Sequence, residues 1–90
     1  MPILRSIVYC DDVQVDVDAA REEFPRLDDA IQALEWRISH RPTDGINRKG
    51  SFWVFRQRGL AAQGIPEISI LYSFTDEIVE LHAILIRPSL

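Results

Sequence analysis

The side chains with the greatest chemical potential lie in the second half of the chain. His82 follows Glu80 at a spacing of two residues and Arg58 follows Arg56 in the same way, so each pair points to one side of an extended strand. An imidazole that titrates near neutral pH is a candidate general acid or base, and guanidinium groups match phosphate oxygens. The alternative for His82 is a half-exposed strand histidine paired with Glu80 or with a neighbouring strand. The alternative for the arginines is surface charge that keeps an open sheet face soluble.

Other kinds of site have less support in the sequence. Cys10 is the single cysteine and ends an apolar run, which favours a buried, inert thiol over a nucleophile. His40, His82 and this cysteine do not make a plausible zinc set, and we expect no metal and no cofactor. Ser69 has no nucleophile-elbow glycines around it, and no glycine-rich nucleotide-binding loop is present, so a hydrolase triad or a nucleotide site is not indicated.

The elements that must position these residues are clearest in the last third of the chain. Residues 68–74 (ISILYSF) and 78–86 (IVELHAILI) are strand-like runs around the short polar turn 75–77, a pattern that predicts a β-hairpin. Residues 51–58 predict the strand before this hairpin, and residues 3–9 (ILRSIVY) predict a first strand. These strands would carry every residue of the candidate site.

Two helices are predicted between the first strand and the later ones. The first contains one apolar stripe, formed by Val13, Val17, Ala20 and Phe24. Its valines also alternate as in a strand, which leaves the segment ambiguous. Asp11 and Asp12 are candidate caps for this helix. The second helix extends from about Arg26 to His40 and contains a tighter stripe, formed by Leu27, Ala30, Ile31, Leu34 and Ile38. A polar loop is predicted over residues 43–50.

The predicted fold class is therefore α+β, in the order β-α-α-β-β-β, as a single domain over residues 1–90. The sheet is small and rich in antiparallel pairs, with the N-terminal helical hairpin on one face. Trp36 lies opposite the apolar stripe of the second helix, where it either packs on the first helix or is exposed for a partner.

Period-two alternation assigns side chains to the two faces of the sheet. Trp53 and Phe55 should point to the helices, with Arg56 and Arg58 on the open face. On the last strand we expect one set to meet the helices, namely Val79, Leu81, Ala83 and Leu85. The open face would then hold Glu80, His82, Ile84 and Ile86, with Ser69 on the adjacent strand and Arg87 near its edge.

Composition limits the class of protein. The hydrophobic fraction of 47% is that of a globular chain, and the net charge of −4 argues against nonspecific nucleic-acid binding. The charge is uneven, because residues 11–35 hold nine acidic side chains and residues 36–60 hold six basic ones. No apolar run approaches membrane-spanning length and no signal peptide is recognisable, so the expected location is the cytoplasm without membrane contact.

Four short runs carry a family resemblance: 38–42 (ISHRP), 50–56 (GSFWVFR), 68–74 (ISILYSF) and 78–84 (IVELHAI). Together with Gly45, they resemble the RelE/ParE toxin superfamily of bacterial type II toxin–antitoxin systems. The resemblance implies a small sheet with an N-terminal helical hairpin and an antitoxin protein that wraps the chain. It also implies a toxin that acts by ribosome-dependent mRNA cleavage or by inhibiting gyrase, with a role in plasmid stabilisation.

Carried over residue by residue, the resemblance gives Arg56 and Arg87, with Arg58 as a further match. His82 joins them as the candidate general acid or base, so the candidate catalytic residues are Arg56, His82 and Arg87. The expected RNA phosphate ligands are Lys49, Arg56 and Arg58, and Trp36 is the expected partner contact. Family members place an arginine three positions before the strand tyrosine, where this chain has Ser69. Phe52 and Val54 occupy the positions of lysines in the ribonucleolytic members.

Three functions therefore stay open. The first is a toxin of this superfamily that acts on RNA or another target and is held by an antitoxin. The second is a binding module with the same fold and a degenerate site. The third is an unrelated α+β domain that dimerises through its sheet edge or through Trp36.

Overall fold

The structure is a computed structural model that describes residues 5–89. It contains two helices, α1 (Asp11–Glu23) and α2 (Leu27–His40), and five strands. The strands are β1 (Ser6–Tyr9), β2 (Ile46–Lys49), β3 (Phe52–Gln57), β4 (Glu67–Phe74) and β5 (Ile78–Arg87). Short 3-10 turns at Pro42–Asp44 and Ala61–Gln63 precede β2 and β4. The α+β class is confirmed, and Ile3 and Leu4 of the predicted first strand lie outside the described residues.

The strands form one mixed sheet in the order β1-β5-β4-β3-β2. The hairpin β4–β5 and its neighbour β3 are antiparallel, as predicted, whereas β1 pairs in parallel with β5. The α1–α2 hairpin carries the chain from β1 at one edge of the sheet to β2 at the other edge, and the antiparallel strands that follow return it to β5, beside β1. The strands β1 and β5, far apart in the sequence, therefore lie side by side.

The apolar stripes of both helices cover one face of this sheet. Val13 and Val17 of α1 are at most 1% exposed, and Leu34 and Ile38 of α2 are equally buried. They form a single core cluster with the helix-facing strand residues, including Phe55, Ile70 and Leu81. The helical reading of the ambiguous α1 segment is thus confirmed. Asp11 and Asp12 lie in its first turn, where the helix dipole favours carboxylates, and the N-cap position is Cys10.

The loop predicted over residues 43–50 is wrong in part, because Ile46–Lys49 form the edge strand β2. All four of its residues are exposed and its register to β3 is irregular, so the segment has no alternating apolar pattern to indicate a strand. Polar and charged residues are typical of a protected sheet edge. The segment that leads into β2 is attached to the core by Tyr72, whose hydroxyl donates to the Pro42 carbonyl oxygen. Burial raises the pKa of Tyr72 to about 12.

The predicted faces of the last strand are wrong beyond His82. The register pairs Leu71 with Ala83 and Tyr72 with Leu81, which leaves His82 as an extra residue in a β-bulge. A bulge shifts the alternation by one residue. Ile84 and Ile86 therefore pack on the core, whereas Ala83 and Leu85 lie on the opposite face. Both sets are apolar, so the sequence pattern could not show the shift.

Candidate functional site on the open face of the sheet

The sheet face that the helices do not cover, called the open face below, is divided into three parts along β4 and β5. The arginine end consists of Arg56, Arg58, Glu67 and Arg87. The apolar strip is Val54, Leu71, Ala83 and Leu85, which line a shallow depression together with Ser69. The thiol end consists of Cys10, Phe52, Ser73, Glu80 and His82.

The arginine end is organised around one carboxylate. Arg56 lies opposite Ser69, and Glu67 lies opposite Arg87 in the β4–β5 register. The Arg56 guanidinium donates from Nε to Glu67 Oε1. That hydrogen bond holds the pKa of Glu67 below its usual value, and the same partner raises the pKa of Arg56. Glu67 is thus ionised and bonded to Arg56, and it is not available as a general acid.

Two further cations border this ion pair. Arg58 and Arg87 are exposed, and neither forms an ion pair with a residue between positions 5 and 89. Their charges contribute to the low pKa of Glu67. The strand predicted over residues 51–58 spans Phe52–Gln57 in the structure. Gln57 faces the helices, and its side-chain amide donates to the Ala30 carbonyl oxygen at 2.8 Å. Three guanidinium groups against one carboxylate leave a net positive surface suited to an anionic partner.

The thiol end is a closer set of polar groups. Cys10 is extended and its backbone N–H donates to the Leu81 carbonyl oxygen, so it continues the parallel β1–β5 ladder past the end of β1. Its thiol lies 3.8 Å from Glu80 Oε1 and 3.9 Å from His82 Nδ1. His82 Nδ1 is in turn 3.7 Å from Glu80 Oε1. The other ring nitrogen, Nε2, is 2.7 Å from Ser73 Oγ.

The electrostatics of this end do not favour a nucleophilic cysteine. Burial raises the pKa of the Cys10 thiol, and the neighbouring Glu80 carboxylate raises it further by charge and by hydrogen bonding. A reactive cysteine needs neighbours that stabilise the thiolate. Cys10 is at the N-cap of α1, which favours the thiolate, but burial and the Glu80 carboxylate act in the opposite direction and raise its pKa. The sequence favoured a buried thiol, whereas Cys10 is only half-buried and lies beside Glu80 and His82 rather than among apolar groups alone.

The structure does not bring the candidate catalytic residues together. Arg56 lies beside Ser69, whereas His82 bonds to Ser73, and four residues of extended strand separate these two serines by about 13 Å. Arg87 belongs to the Arg56 end. With Arg56 bonded to Glu67 and His82 bonded to Ser73, the guanidinium and the imidazole do not converge on one phosphate-sized space.

The expected RNA phosphate ligands are divided in the same way. Lys49 pairs with Phe52, at the thiol end of β3, while Arg56 and Arg58 lie at the other end of that strand. Trp36 is 64% exposed on α2, with its ring 4.3 Å from the His40 ring, so the interpretation in which it packs on α1 is wrong. It lies on the helical side of the sheet, away from the open face.

Sequence reasoning missed the cluster of Cys10, Glu80 and His82. The spacing of Glu80 and His82 was visible, but Cys10 is 70 residues from Glu80 in the chain. Only the parallel pairing of β1 with β5 joins them, and a four-residue strand carries no sequence signal for its partner. The expectation of no zinc set considered only cysteine and histidine and left out the glutamate.

Comparison of the chain with protein-family models, curated proteins and solved structures finds no match. Within residues 5–89, no helix has both the length and the apolar character required to cross a membrane. Functional inference therefore depends on the open face itself.

Proposed function

We propose that this chain is a binding module of the RelE/ParE type, which holds an antitoxin-like protein on the open face and does not cleave RNA. The single observation that carries the proposal is the separation of His82 from Arg56 and Arg87 by the apolar strip. RNA cleavage requires a base for the 2′-hydroxyl and cations for the phosphate in one place. Partner binding requires only a continuous surface of mixed character.

Exposed apolar side chains on the open face support a protein partner. Leu85 is 51% exposed, and Val8 and Phe52 are 43% and 42% exposed. Leu85 belongs to the apolar strip, and Phe52 extends it because it lies two residues from Val54 on the same face of β3. Val8 lies beside Glu80, at the thiol end. Isolated apolar residues are ordinary on a protein surface, but a contiguous patch rimmed by polar groups is typical of an interaction site.

The positive charge next to the apolar strip indicates that the partner carries acidic residues. Arg58 and Arg87 border one end of the strip, where a carboxylate of the partner would complement them. The segment that fits is amphipathic, with apolar residues over Leu71 and Leu85 and acidic residues at the arginine end. An antitoxin-like protein that wraps the sheet would supply such a segment.

RNA cleavage by a toxin is the second candidate. Arg48 and Lys49 on the edge strand β2 favour it, because both are exposed cations next to the open face. Ribosomal RNA and mRNA would be attracted to such a surface. Lys49 lies opposite Phe52 rather than Arg56, and Arg48 falls at the register shift next to it. These two residues therefore add charge to the thiol end and do not complete the arginine set.

The test begins with expression in a bacterial host, with and without the product of the adjacent gene. The binding module should leave growth unchanged and should co-purify with that product as a stable complex. Purified protein should leave mRNA intact on translating ribosomes and should not inhibit gyrase. Growth arrest with mRNA cleavage, abolished by Arg56→Ala, would instead establish the second candidate.

Matched variants locate the partner surface. Leu85→Asp should abolish the complex, whereas Val15→Asp, which changes an aliphatic side chain 65% exposed on α1, should not. Arg87→Ala should weaken the complex, whereas Arg41→Ala at an exposed site after α2 should leave it intact. Equal effects of Leu85→Asp and Val15→Asp would contradict docking on the open face. A dimer that Leu85→Asp alone dissociates, with no complex formed, would indicate that a second copy occupies the strip.

A further inference from the structure

The three donor atoms at the thiol end form a nearly equilateral triangle. Its sides are 3.8 Å from Cys10 Sγ to Glu80 Oε1, 3.9 Å from Cys10 Sγ to His82 Nδ1, and 3.7 Å from His82 Nδ1 to Glu80 Oε1. None of these is a short hydrogen bond between well-matched partners. The three donor atoms are therefore grouped closely without a short hydrogen bond among them.

The centre of this triangle lies at the distance of a metal–ligand bond from its corners. The centre of such a triangle is about 2.2 Å from each corner, and zinc binds sulfur at about 2.3 Å and imidazole nitrogen or carboxylate oxygen at about 2.0–2.2 Å. In a tetrahedral site these bond lengths place the ligand atoms about 3.4–3.6 Å apart. Each side of the triangle would shorten by only a few tenths of an ångström.

The imidazole is oriented for coordination. His82 Nε2 lies 2.7 Å from Ser73 Oγ, while Nδ1 has only the long contacts to Cys10 and Glu80 among the residues described. We assign the ring proton to Nε2, which donates to Ser73 and leaves the Nδ1 lone pair directed at the cluster. Metal-ligating histidines are held in this way, with the second nitrogen bonded to an oxygen acceptor.

The surroundings fix the ring further. The Phe52 ring meets the His82 ring edge to face, with centroids 5.2 Å apart and planes inclined by 74°. His82 is the extra residue of the β-bulge, and bulges commonly direct a side chain toward a functional site. Its side chain is 25% exposed and that of Glu80 is 41% exposed, so an ion could enter from solvent.

We propose that Cys10, Glu80 and His82 bind one divalent ion of the zinc class, with water as the fourth ligand. Thiolate and imidazole select Zn²⁺ and its analogue Co²⁺ over Mg²⁺ or Ca²⁺, which prefer oxygen ligands. On binding, Cys10 releases its proton to solvent and the sulfur forms the new bond as thiolate. Three protein ligands and one open position are the arrangement of a zinc site that can bind or activate a small ligand.

Such an ion would also connect distant parts of the chain. It would join the β1–α1 junction, through Cys10, to the middle of β5, through Glu80 and His82. Because the unfolded chain does not preform this site, ion binding should stabilise the folded state. The proposal departs from the sequence expectation of no metal and is independent of the function proposed above.

The test is Co²⁺ titration of the untagged, reduced protein, followed by competition with Zn²⁺. Cys10 is the only cysteine, so a thiolate-to-cobalt charge-transfer band reports on this residue alone. We expect one Co²⁺ per chain, loss of the band in Cys10→Ser, and reversal by Zn²⁺. His82→Gln and Glu80→Gln should each weaken Co²⁺ binding by more than about tenfold, and Ser73→Ala by about 10- to 100-fold.

Matched controls change the same residue types elsewhere. His40→Gln on α2 and Glu77→Gln in the β4–β5 turn should leave the affinity unchanged. The proposal is overturned if the wild-type protein gives no band, if His82→Gln keeps the wild-type affinity, or if one ion binds per two chains. Should a ligand variant unfold, Zn²⁺ protection of the wild-type Cys10 thiol from alkylation decides the question, because an unbound thiol would react equally with and without Zn²⁺.

Discussion

The arginine end and the thiol end lie on the same sheet face and on the same pair of strands, yet they suit opposite ligands. The first surrounds a single carboxylate with three guanidinium groups and would attract an anion. The second gathers a thiol, a carboxylate and an imidazole and would attract a cation. About 13 Å of strand and an apolar strip separate them. Residue types that suggest one site in the sequence are therefore divided between two surfaces.

The separation of His82 from Arg56 shows that two residues on the same face of a sheet form one site only if they also lie at the same level along the strands. His82 and Arg56 both point away from the helices, as the alternation predicted. A rigid sheet fixes how far apart the backbones of such residues lie, and the ion pair with Glu67 draws the Arg56 guanidinium away from His82.

The largest change in stability should come from residues after the β-bulge at His82, which decides which side chains of β5 face the core. Ile84→Ala should lower the free energy of unfolding by about 2 kcal/mol, because Ile84 packs on the core beside Ile70. Leu85→Ala, at a side chain 51% exposed, should change it by less than about 1 kcal/mol. Urea denaturation of both variants measures the difference. The reverse order would mean that β5 has no bulge and that Leu85 faces the helices.

At the thiol end, Glu80→Gln should make Cys10 more reactive. The Glu80 charge and hydrogen bond both raise the pKa of the Cys10 thiol, so their removal increases the thiolate fraction at mildly alkaline pH. The rate of alkylation by iodoacetamide in the presence of a chelator measures this change. Glu67→Gln, the equivalent change at the arginine end, should leave the rate at its wild-type value. A similar acceleration in both variants would mean that the ends are coupled.

At the arginine end, Glu67→Gln should alter the pH dependence of stability. Hydrogen bonding to Arg56 lowers the pKa of Glu67 below its unperturbed value of 4.5. The ionised carboxylate therefore stabilises the folded chain above pH 4.5, and this contribution is lost as the pH falls through the folded-state pKa. The variant should be slightly less stable than wild type near neutral pH and equally stable in acid. A constant difference at every pH would exclude the ion pair as its cause.

The smallest effect is the coupling between the ends. Because more than about 10 Å separates them, the stability changes of Glu67→Gln and Glu80→Gln should add in the double variant to within about 0.5 kcal/mol. Urea denaturation of the two single variants and the double variant completes the cycle. A larger interaction energy would show that the apolar strip transmits a structural change from one end to the other.

The sequence alone was sufficient for the elements with a strong period. The stripe from Leu27 to Ile38 gave α2, the runs around residues 75–77 gave the β4–β5 hairpin, and together they gave the α+β class. These predictions held because burial of one face of a helix or strand is encoded in neighbouring residues. The open-face placement of Arg56, Glu80 and His82 followed from the same rule.

The spacing of apolar residues did not predict the edge strand or the contacts between distant segments. Every residue of β2 is exposed, so no burial pattern marks it, and the bulge at His82 inverts faces that are apolar on both sides. The pairing of β1 with β5 depends on how the helices return the chain to the sheet. Sequence period determined which residues face away from the core. Only the tertiary structure decided that Cys10 joins Glu80 and His82 while Arg56 lies far from them, because strand order and register are set by long-range packing.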